Sequence, residues 1–369
     1  MRVGWEYKKL GDSCVIEYGT RVVQKKDGGT IYPVYGGGGE TFRMDKYNRE
    51  NCLVVARFAM SRTCVRYVTG KFFLNDSGLS INAGKELLQS YLNHHILHLN
   101  DDIYNLGKGA AQRNLDVNSF RNLIIAIPPL STQISIVSEL DKINELIRLK
   151  KEQLTDYDNL AQSIFYEMFG DPVVNEKGWE ERTMQDLCVN IVDCPHSTPK
   201  KVDYITDYPC IRTSELRGGS ISWATMQYLD EDEYNIRIAR LKPEAGDIVF
   251  GREGTIGDAV ILPLGYNFSL GQRTMLLRAD TSIVSNIFLH RIILSDWIKH
   301  QIEYVNVSST VAHVNIKDFK KFTVPLPPLQ LQQVFASRIT QIEALKAEVQ
   351  RTIKDLETLL ASRMQYWFD

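Results

Sequence analysis

Cysteine is scarce and unpatterned: six in 369 residues, at positions 14, 52, 64, 188, 194 and 210, with no CxxC pair and no Cys/His metal spacing. A disulfide framework or zinc module is therefore excluded as the basis of the fold, and the thiols read as reduced and structural. The chain lacks a signal peptide and any apolar run long enough to span a bilayer, so a soluble, cytoplasmic protein with no membrane partner is expected. Excess charge of one sign is missing too, the formal net charge being −2. Recognisable catalytic patterns are also absent. "FGREGTIG" (250–257) has the spacing GxxGxxG without the Lys-Ser/Thr of a P-loop, and "GKGAAQ" (107–112) is not a dinucleotide fingerprint. Both read as turns between strands. "FGDP" (169–172) is not the Asn/Asp-Pro-Pro-aromatic motif of an amino-methyltransferase, and no carboxylate-lysine set of a nuclease stands out. His94 and His95 lie in a helical pattern, "ELLQSYLNHHILHL", where packing is favoured over ligation. Neither catalytic residues, nor a metal site, nor a cofactor is expected in this chain.

What is there is a repeat. "IPPLSTQISIVSELDKI", from Ile127, returns as "LPPLQLQQVFASRITQI", from Leu326. At a constant offset of 199, Phe120 pairs with Phe319, Pro128-Pro129 with Pro327-Pro328, Gln133 with Gln332 and Phe169 with Phe368. A second register, offset by 174, pairs Gly4-Trp5-Glu6 with Gly178-Trp179-Glu180 and Cys14 with Cys188. The chain is two copies of one unit, the second carrying about 25 extra residues between its opening and its proline gate. The repeat is also nearly circular, because the C-terminus stops just before the point where the N-terminus would resume the pattern. That predicts neighbouring termini and two globular units at opposite ends of an antiparallel helix pair with pseudo-twofold symmetry.

The gated segment reads as helix. Pro-Pro-Leu breaks an apolar strand-like run, and Ser131 or Thr132 is expected to cap the helix beyond it. From Ile136 the apolar positions step by 4 and 3: Leu140, Ile143, Ile147, Leu154, Tyr157, Ala161, Ile164 and Met168, with Lys150 the one polar member. The second copy reads Phe335, Ile339, Ile342, Lys346, Val349, Ile353, Leu356, Leu360, Arg363 and Trp367. So long a heptad seam argues for a coiled coil, and about 38 residues make a rod of roughly 55–60 Å. An ordinary long core helix is the alternative; the polar opposite face favours a rod in water.

Charge is unevenly spread. Residues 1–128 carry 17 Lys/Arg against 12 Asp/Glu, whereas 129–171 carry 4 against 8. In the second globular unit the acids gather in "LDEDEY" (229–234), which leaves basic loops elsewhere. The loops of both units are rich in Gly, Arg, Lys, Ser, Thr and Gln. In the first these are 18–26, 35–43, 56–62 and 107–114, and in the second 193–201, 211–219, 251–257, 271–273 and 307–313. Arg pairs bidentately with guanine and Gln with adenine, while Ser, Thr and backbone amides hold phosphates. Singly each loop reads as a solvated turn; together, as unequal inserts on equal frames, they suggest two reading heads. The candidate contacts in the first head are Arg21, Lys25, Lys26, Arg57, Arg62, Lys108, Gln112 and Arg113. Those in the second are His196, Ser197, Thr198, Lys200, Arg212, Arg252, Gln272, Arg273, Thr310 and His313.

The combination of "FRNLIIAIPPLSTQISIV…IFYEMFGDP", its twin "FKKFTVPLPPLQLQQVFASRI", "DCPHSTPKKVD" and "GDIVFGREGTIGDAVILP…SLGQR" resembles the DNA-specificity (S) subunits of type I restriction-modification systems over essentially the whole chain. The resemblance implies an α+β fold with two target-recognition domains, 1–128 and 172–326, separated by two antiparallel helices, 129–171 and 327–369. It implies a bipartite double-stranded DNA site read half by each domain, with the helices setting the gap and docking two modification (methyltransferase) subunits. Restriction (nuclease and translocase) subunits would join them. S-adenosylmethionine, and ATP and Mg2+ for restriction, are expected in those partners. The first domain departs from the pattern in lacking a clear "GD-I-hydrophobic-x-x-R-x-G-x-x-G" run; "NCLVVARFAMSRT" stands there, with Arg57 opposite Arg252. Lys346 and Arg363 interrupt the second seam, as expected where a coil frays or meets another subunit. A cytosolic coiled-coil adaptor without DNA specificity and a stand-alone methylation or restriction enzyme are the competing readings.

Overall fold

The computed structural model describes residues 2–109, 112–306 and 313–369. They form two compact units, Met1–Gln153 with Val349–Asp369, and Leu154–Glu348. The helices Leu130–Phe169 and Leu329–Phe368, of 40 residues each, are both divided between the units.

Each unit opens on a strand that returns to pair with the strand before its proline gate. Glu6–Lys9 runs antiparallel to Ile124–Ile127, with Glu6 opposite Ile127; Glu180–Thr183 runs antiparallel to Thr323–Leu326, with Glu180 opposite Leu326. The two sequence registers therefore meet in one hydrogen-bonded ladder, which is why residues can be inserted between them without disturbing the frame. In the first unit the next strands build a six-stranded sheet in the order Cys14–Tyr18, Gly78–Ala83, Arg49–Ala56, Val65–Leu74, Tyr32–Tyr35, Glu40–Met44. The second keeps the first part of this plan as Cys188–Asp193, Thr274–Ala279, Ile248–Gly251, Ala259–Ile261. Leu53 pairs with Ile81 as Ile248 pairs with Leu277, so the offset has grown from 174 at Cys188 to 195 at Ile248. Most of the extra residues thus lie between these strands, where they build the hairpin Leu216–Arg217/Ser220–Ile221, the helix Glu231–Arg237 and three strands of a separate four-stranded sheet that Ser269–Leu270 completes. "LDEDEY" belongs to that helix's start, capped by Asp230, whose side chain accepts from Glu233 N.

The gate differs in detail from expectation. The helix begins at Leu130, so Ser131 and Thr132 lie within its first turn rather than capping it; Pro129 O accepts from Thr132 N and Gln133 N. The proline pair holds the turn because its fixed φ suits a helix start.

Both long helices close each core. In the first unit Ile136 and Leu140 of the outgoing helix meet Leu360, Met364, Trp367 and Phe368 of the returning one. In the second, Phe335, Ile339 and Ile342 meet Phe165, Phe169 and Met168. Phe368 stacks on His95, with ring centroids 4.7 Å apart, and lies 5.6 Å from Tyr91; Phe169 lies 4.9 Å from Phe288 and 5.1 Å from Phe335. The helices run antiparallel within each unit: Lys151 pairs with Glu357 at 2.9 Å while Glu139 pairs with Arg363, and Lys346 pairs with Asp158 at 2.7 Å. All the seam residues face inward, Leu140, Ile143, Ile147, Ile339, Ile342 and Ile353 buried, and Leu154, Ile164, Leu356 and Leu360 half-buried. Lys346 and Arg363 do not mark fraying. Their long stems cover the seam while their charges meet Asp158 and Glu139 on the facing helix, and Trp367 Nε1 also donates to Glu139 at 3.0 Å. The expected closeness of the termini is present, Arg2 donating to Tyr366 O and stacking on Trp5, Tyr366 and Trp367.

Two core histidines set a pH dependence. Burial, helped by charge on His98, pushes the His95 imidazole down to about 3, and its Nδ1 has no hydrogen-bond partner among the described residues. Burial likewise pushes His290 down to about 4, against a hydrogen bond to Ala259 O that acts to raise it. Below the ordinary imidazole value near 6.5 the unfolded chain binds protons that these folded sites refuse. Stability from this source is complete above about pH 6.5 and is lost as pH falls toward 3–4, at roughly 2 kcal/mol per imidazole by pH 5. The melting temperature at pH 5 should lie several degrees below that at pH 7.5, and His95→Leu should narrow the difference; an equal difference in the variant would refute the assignment.

Candidate nucleic-acid interface

Four loops of the first head converge where the strand Arg49–Ala56 ends. Arg57 N donates to Ser77 O at 2.8 Å, Leu115 N to Arg57 O at 2.8 Å, and Met60 N to Arg113 O at 2.9 Å. Gly19 N donates to Gly78 O, and the glycine-rich loop is drawn in by Gly37 N to Ser77 Oγ and Arg66 Nη2 to Gly37 O. Only glycine fits at 37, since a Cβ there would stand 2.7 Å from Phe58 O. On this lattice the Arg57 guanidinium lies 4.9 Å from the Tyr18 ring and 4.5 Å from Phe58, and Arg113 and Arg62 share the Tyr104 ring at 4.7 and 5.4 Å. Arginines held over aromatic faces present their donors in a defined plane, the geometry that base edges require. Lys108 is paired with Asp116, the cap of the helix Val117–Arg121, while Gln112 is exposed beside it in sequence. Exposed Arg21, Lys25 and Lys26 stand on a different segment, the one tied to the edge strand by Gly29 N to Arg43 O.

The second head rebuilds the same lattice. Arg252 N donates to Arg273 O at 2.8 Å and Val314 N to Arg252 O at 3.1 Å, so Arg252, Arg273 and Val314 occupy the places of Arg57, Ser77 and Leu115. The corner two residues on has positive φ in both, Ala59 at 49° and Gly254 at 77°. The absence of the glycine motif from the first head is thus a change of residue on an unchanged turn.

The side chains diverge. Arg252 is spent internally, its Nη1 on Asp193 and its Nε donating to Val314 O at 2.9 Å. Arg212 likewise grips the fully buried Glu215 through Nε and Nη2 and donates to Thr225 O. Both shape loops by carrying their charge inward. The segment 193–201 is pinned by residues that sequence reasoning missed. Buried Arg237, paired with Glu233, donates to Pro195 O, Ser197 O and Leu270 O, and Arg240 donates to Asp193 O and Cys194 O. The one sequence signal was the Glu233–Arg237 spacing of four on a helix. Gln272 Nε2 donates to His196 O at 2.7 Å, and His196 Nε2 lies 3.3 Å from Asp193. The exposed Ser197, Thr198 and Lys200 therefore stand on a fixed backbone. His313 is exposed next to Val314, its N–H donating to Asn306 Oδ1; Thr310 lies outside the described residues. Arg273 is 63% exposed, its Nε 3.1 Å from Glu253, and its backbone is left-handed at φ 67°, a conformation costing about 1–2 kcal/mol in a side chain of this kind. A cavity of about 650 Å³, bordered by Trp223, Ile287, Ile339 and Glu343, meets this loop cluster only at Gly218 and Gly219.

These two heads on one frame define a protein of the type I restriction modification DNA specificity domain family. The chain belongs to it: the family model matches residues 2–156 and 176–358, one stretch on each repeat. It is 21% identical over 263 residues to the specificity subunit of the type I restriction enzyme MjaVIII of Methanocaldococcus jannaschii, covering 67% of this chain and 61% of that one. It is 22% identical over 223 residues to the EcoBI specificity subunit of Escherichia coli, covering 60% and 44%. The chain thus spans about three-fifths or less of the length of these relatives. In fold it is similar to the crystal structure of the type I S subunit from M. genitalium, at 14% identity and a TM-score of 0.61 over 100% of this chain and 98% of that one. A chain from a structure of the type I R-M system gives a TM-score of 0.54 at 18% identity over 99% and 97%. Among the described residues no helix is long and apolar enough to cross a membrane.

Proposed function

We propose that each head reads one half of a bipartite double-stranded DNA site, and that the paired helices set the gap and dock two modification subunits. The observation that carries this reading is the lattice laid down twice, from Arg57, Ser77 and Leu115 and again from Arg252, Arg273 and Val314, with different side chains on it. A frame reused under divergent polar loops is what two related sites of different sequence require. One head touches only a few base pairs, so its affinity is modest and salt-sensitive. Two heads on a stiff spacer multiply their affinities when both half-sites lie at the matching separation and helical phase. A 40-residue helix is about 60 Å long, against about 34 Å for a turn of duplex, which suits two short half-sites and a fixed gap. Methyl transfer from S-adenosylmethionine, base flipping, and restriction with ATP and Mg2+ fall to the modification and restriction subunits.

Long-read mapping of methylated bases, in a host carrying this chain with its modification subunit and in one lacking this chain, tests the reading. A single bipartite motif with a fixed gap, dependent on this chain, is expected. An assembled complex that is active with another specificity chain but leaves no motif with this one would favour an adaptor. Methylation or cleavage by the purified chain alone would favour a stand-alone enzyme.

A further inference from the structure

We infer that Arg273 reads a guanine edge within the half-site of the second head; the assignment rests on the DNA-reading function proposed above. The shared lattice does not require a left-handed residue at this place. Ser77, its counterpart, accepts the same bond from Arg57 N without a positive φ, whereas Arg273 has φ 67°. The second head alone holds a long side chain in a conformation that favours glycine, and its neighbours enforce it. Gln272 is tied to His196 O, Thr274 Oγ1 donates to Gly271 O at 2.9 Å, and Arg273 O itself accepts from Arg252 N. A backbone so over-determined around one strained, exposed residue points that residue outward for use. The ion pair with Glu253, itself more than one-third exposed, returns little of the cost of that conformation.

Two other arginines on these loops are committed elsewhere, Arg212 to Glu215 and Arg252 to Asp193, while the exposed Arg217 stands on the hairpin Leu216–Arg217/Ser220–Ile221, outside the lattice of Arg252, Arg273 and Val314. Glu253 engages Arg273 through Nε, on the side of the guanidinium away from the paired terminal nitrogens that match guanine O6 and N7. Glu253 thereby biases the plane of the group before DNA arrives. Its counterpart in the first head is Phe58, which performs a similar service for Arg57 by stacking. The two positions where the heads differ most on a common lattice, Phe58/Glu253 and Ser77/Arg273, are thus the ones that orient and supply a donor.

The test uses the full complex with modification subunits, comparing wild type with Arg273→Ala and Arg273→Gly by methylation mapping and by methylation rates on duplexes with each base of the second half-site replaced. The wild-type second half-site should contain a guanine whose replacement slows methylation by about 5- to 150-fold. In both variants that position should become tolerant, with the first half-site and the gap unchanged. Arg273→Gly should also melt about 2–4 °C higher, because the strain is removed, so lost discrimination cannot be ascribed to unfolding. A second half-site without a G·C pair, or variants with unaltered motif and rate, would overturn the assignment. So would a uniform slowing at every base with a shallower salt dependence, the signature of a phosphate contact. Absence of any bipartite motif with the wild-type complex would instead sink the functional reading, and this assignment with it.

Discussion

Seven residues inserted in register into both long helices, beside Gln153 in one and Val349 in the other, should lengthen the gap of the methylated motif by about three base pairs and leave both half-sites intact. Seven residues are two helical turns, about 10.5 Å, and the duplex rises about 3.4 Å per base pair. A heptad restores the seam, so Ile143, Ile147, Ile342 and Ile353 still face inward. The insertion points lie where the two compact units divide, leaving undisturbed the closures around Phe368 and Phe169. An insertion of two or five residues, a turn of about 200° or 140°, would instead bring the polar face into the seam and should abolish the motif. Mapping methylated bases reads both outcomes, and a gap that stays constant through the heptad insertion would end the idea that these helices set it.

The second large effect concerns stability. Gln133 and Gln332 are fully buried polar side chains, and the repeat places them identically. Gln133 Oε1 accepts from Leu88 N at 2.8 Å, while its Nε2 donates to Pro128 O at 2.9 Å and Glu86 O at 2.8 Å. Gln332 accepts from Ser285 N at 2.8 Å and donates to Pro327 O at 2.8 Å and, more weakly, to Ile283 O at 3.5 Å. Each amide thus ties the gate to the start of the helix that packs beneath it, Gln89–His98 in one unit and Asn286–Ile293 in the other. Gln133→Leu fills the space but orphans three backbone groups, each costing about 1–3 kcal/mol when left unpaired. Allowing for relaxation, a loss of about 3 kcal/mol is expected, a fall of roughly 6–12 °C in melting temperature for a unit of this size. Gln332→Leu should cost slightly less, its third bond being longer. A change below about 1 kcal/mol in calorimetry would show that the gate does not depend on this amide.

Much of the architecture was legible because it obeys periodic rules. The heptad steps from Leu140 and from Phe335 describe the covered faces of two helices, and the offsets of 174 and 199 locate two strands that the fold pairs in one ladder. The equivalence of Arg57 with Arg252 was visible as well, since each comes directly after an apolar strand. Side-chain commitments were not legible. Arg212, Arg252 and Arg273 look alike in a sequence, yet Glu215 and Asp193 claim the first two and leave the third outward. Arg237 and Arg240, which hold the segment 193–197, gave no loop-like signal because they lie on and just after an acidic helix.

The sequence by itself determined the doubled frame: two heads, two 40-residue helices and the proline-glutamine gate. Repetition and helical period are properties of spacing, and spacing survives without coordinates. Only the tertiary structure decided which charges are spent and which remain. The partners of Arg252 and Arg212, and the left-handed turn at Arg273, depend on loops far apart in the chain meeting at the ends of the strands. Electrostatic pairing is decided over a few ångströms, a distance that spacing along the chain does not encode.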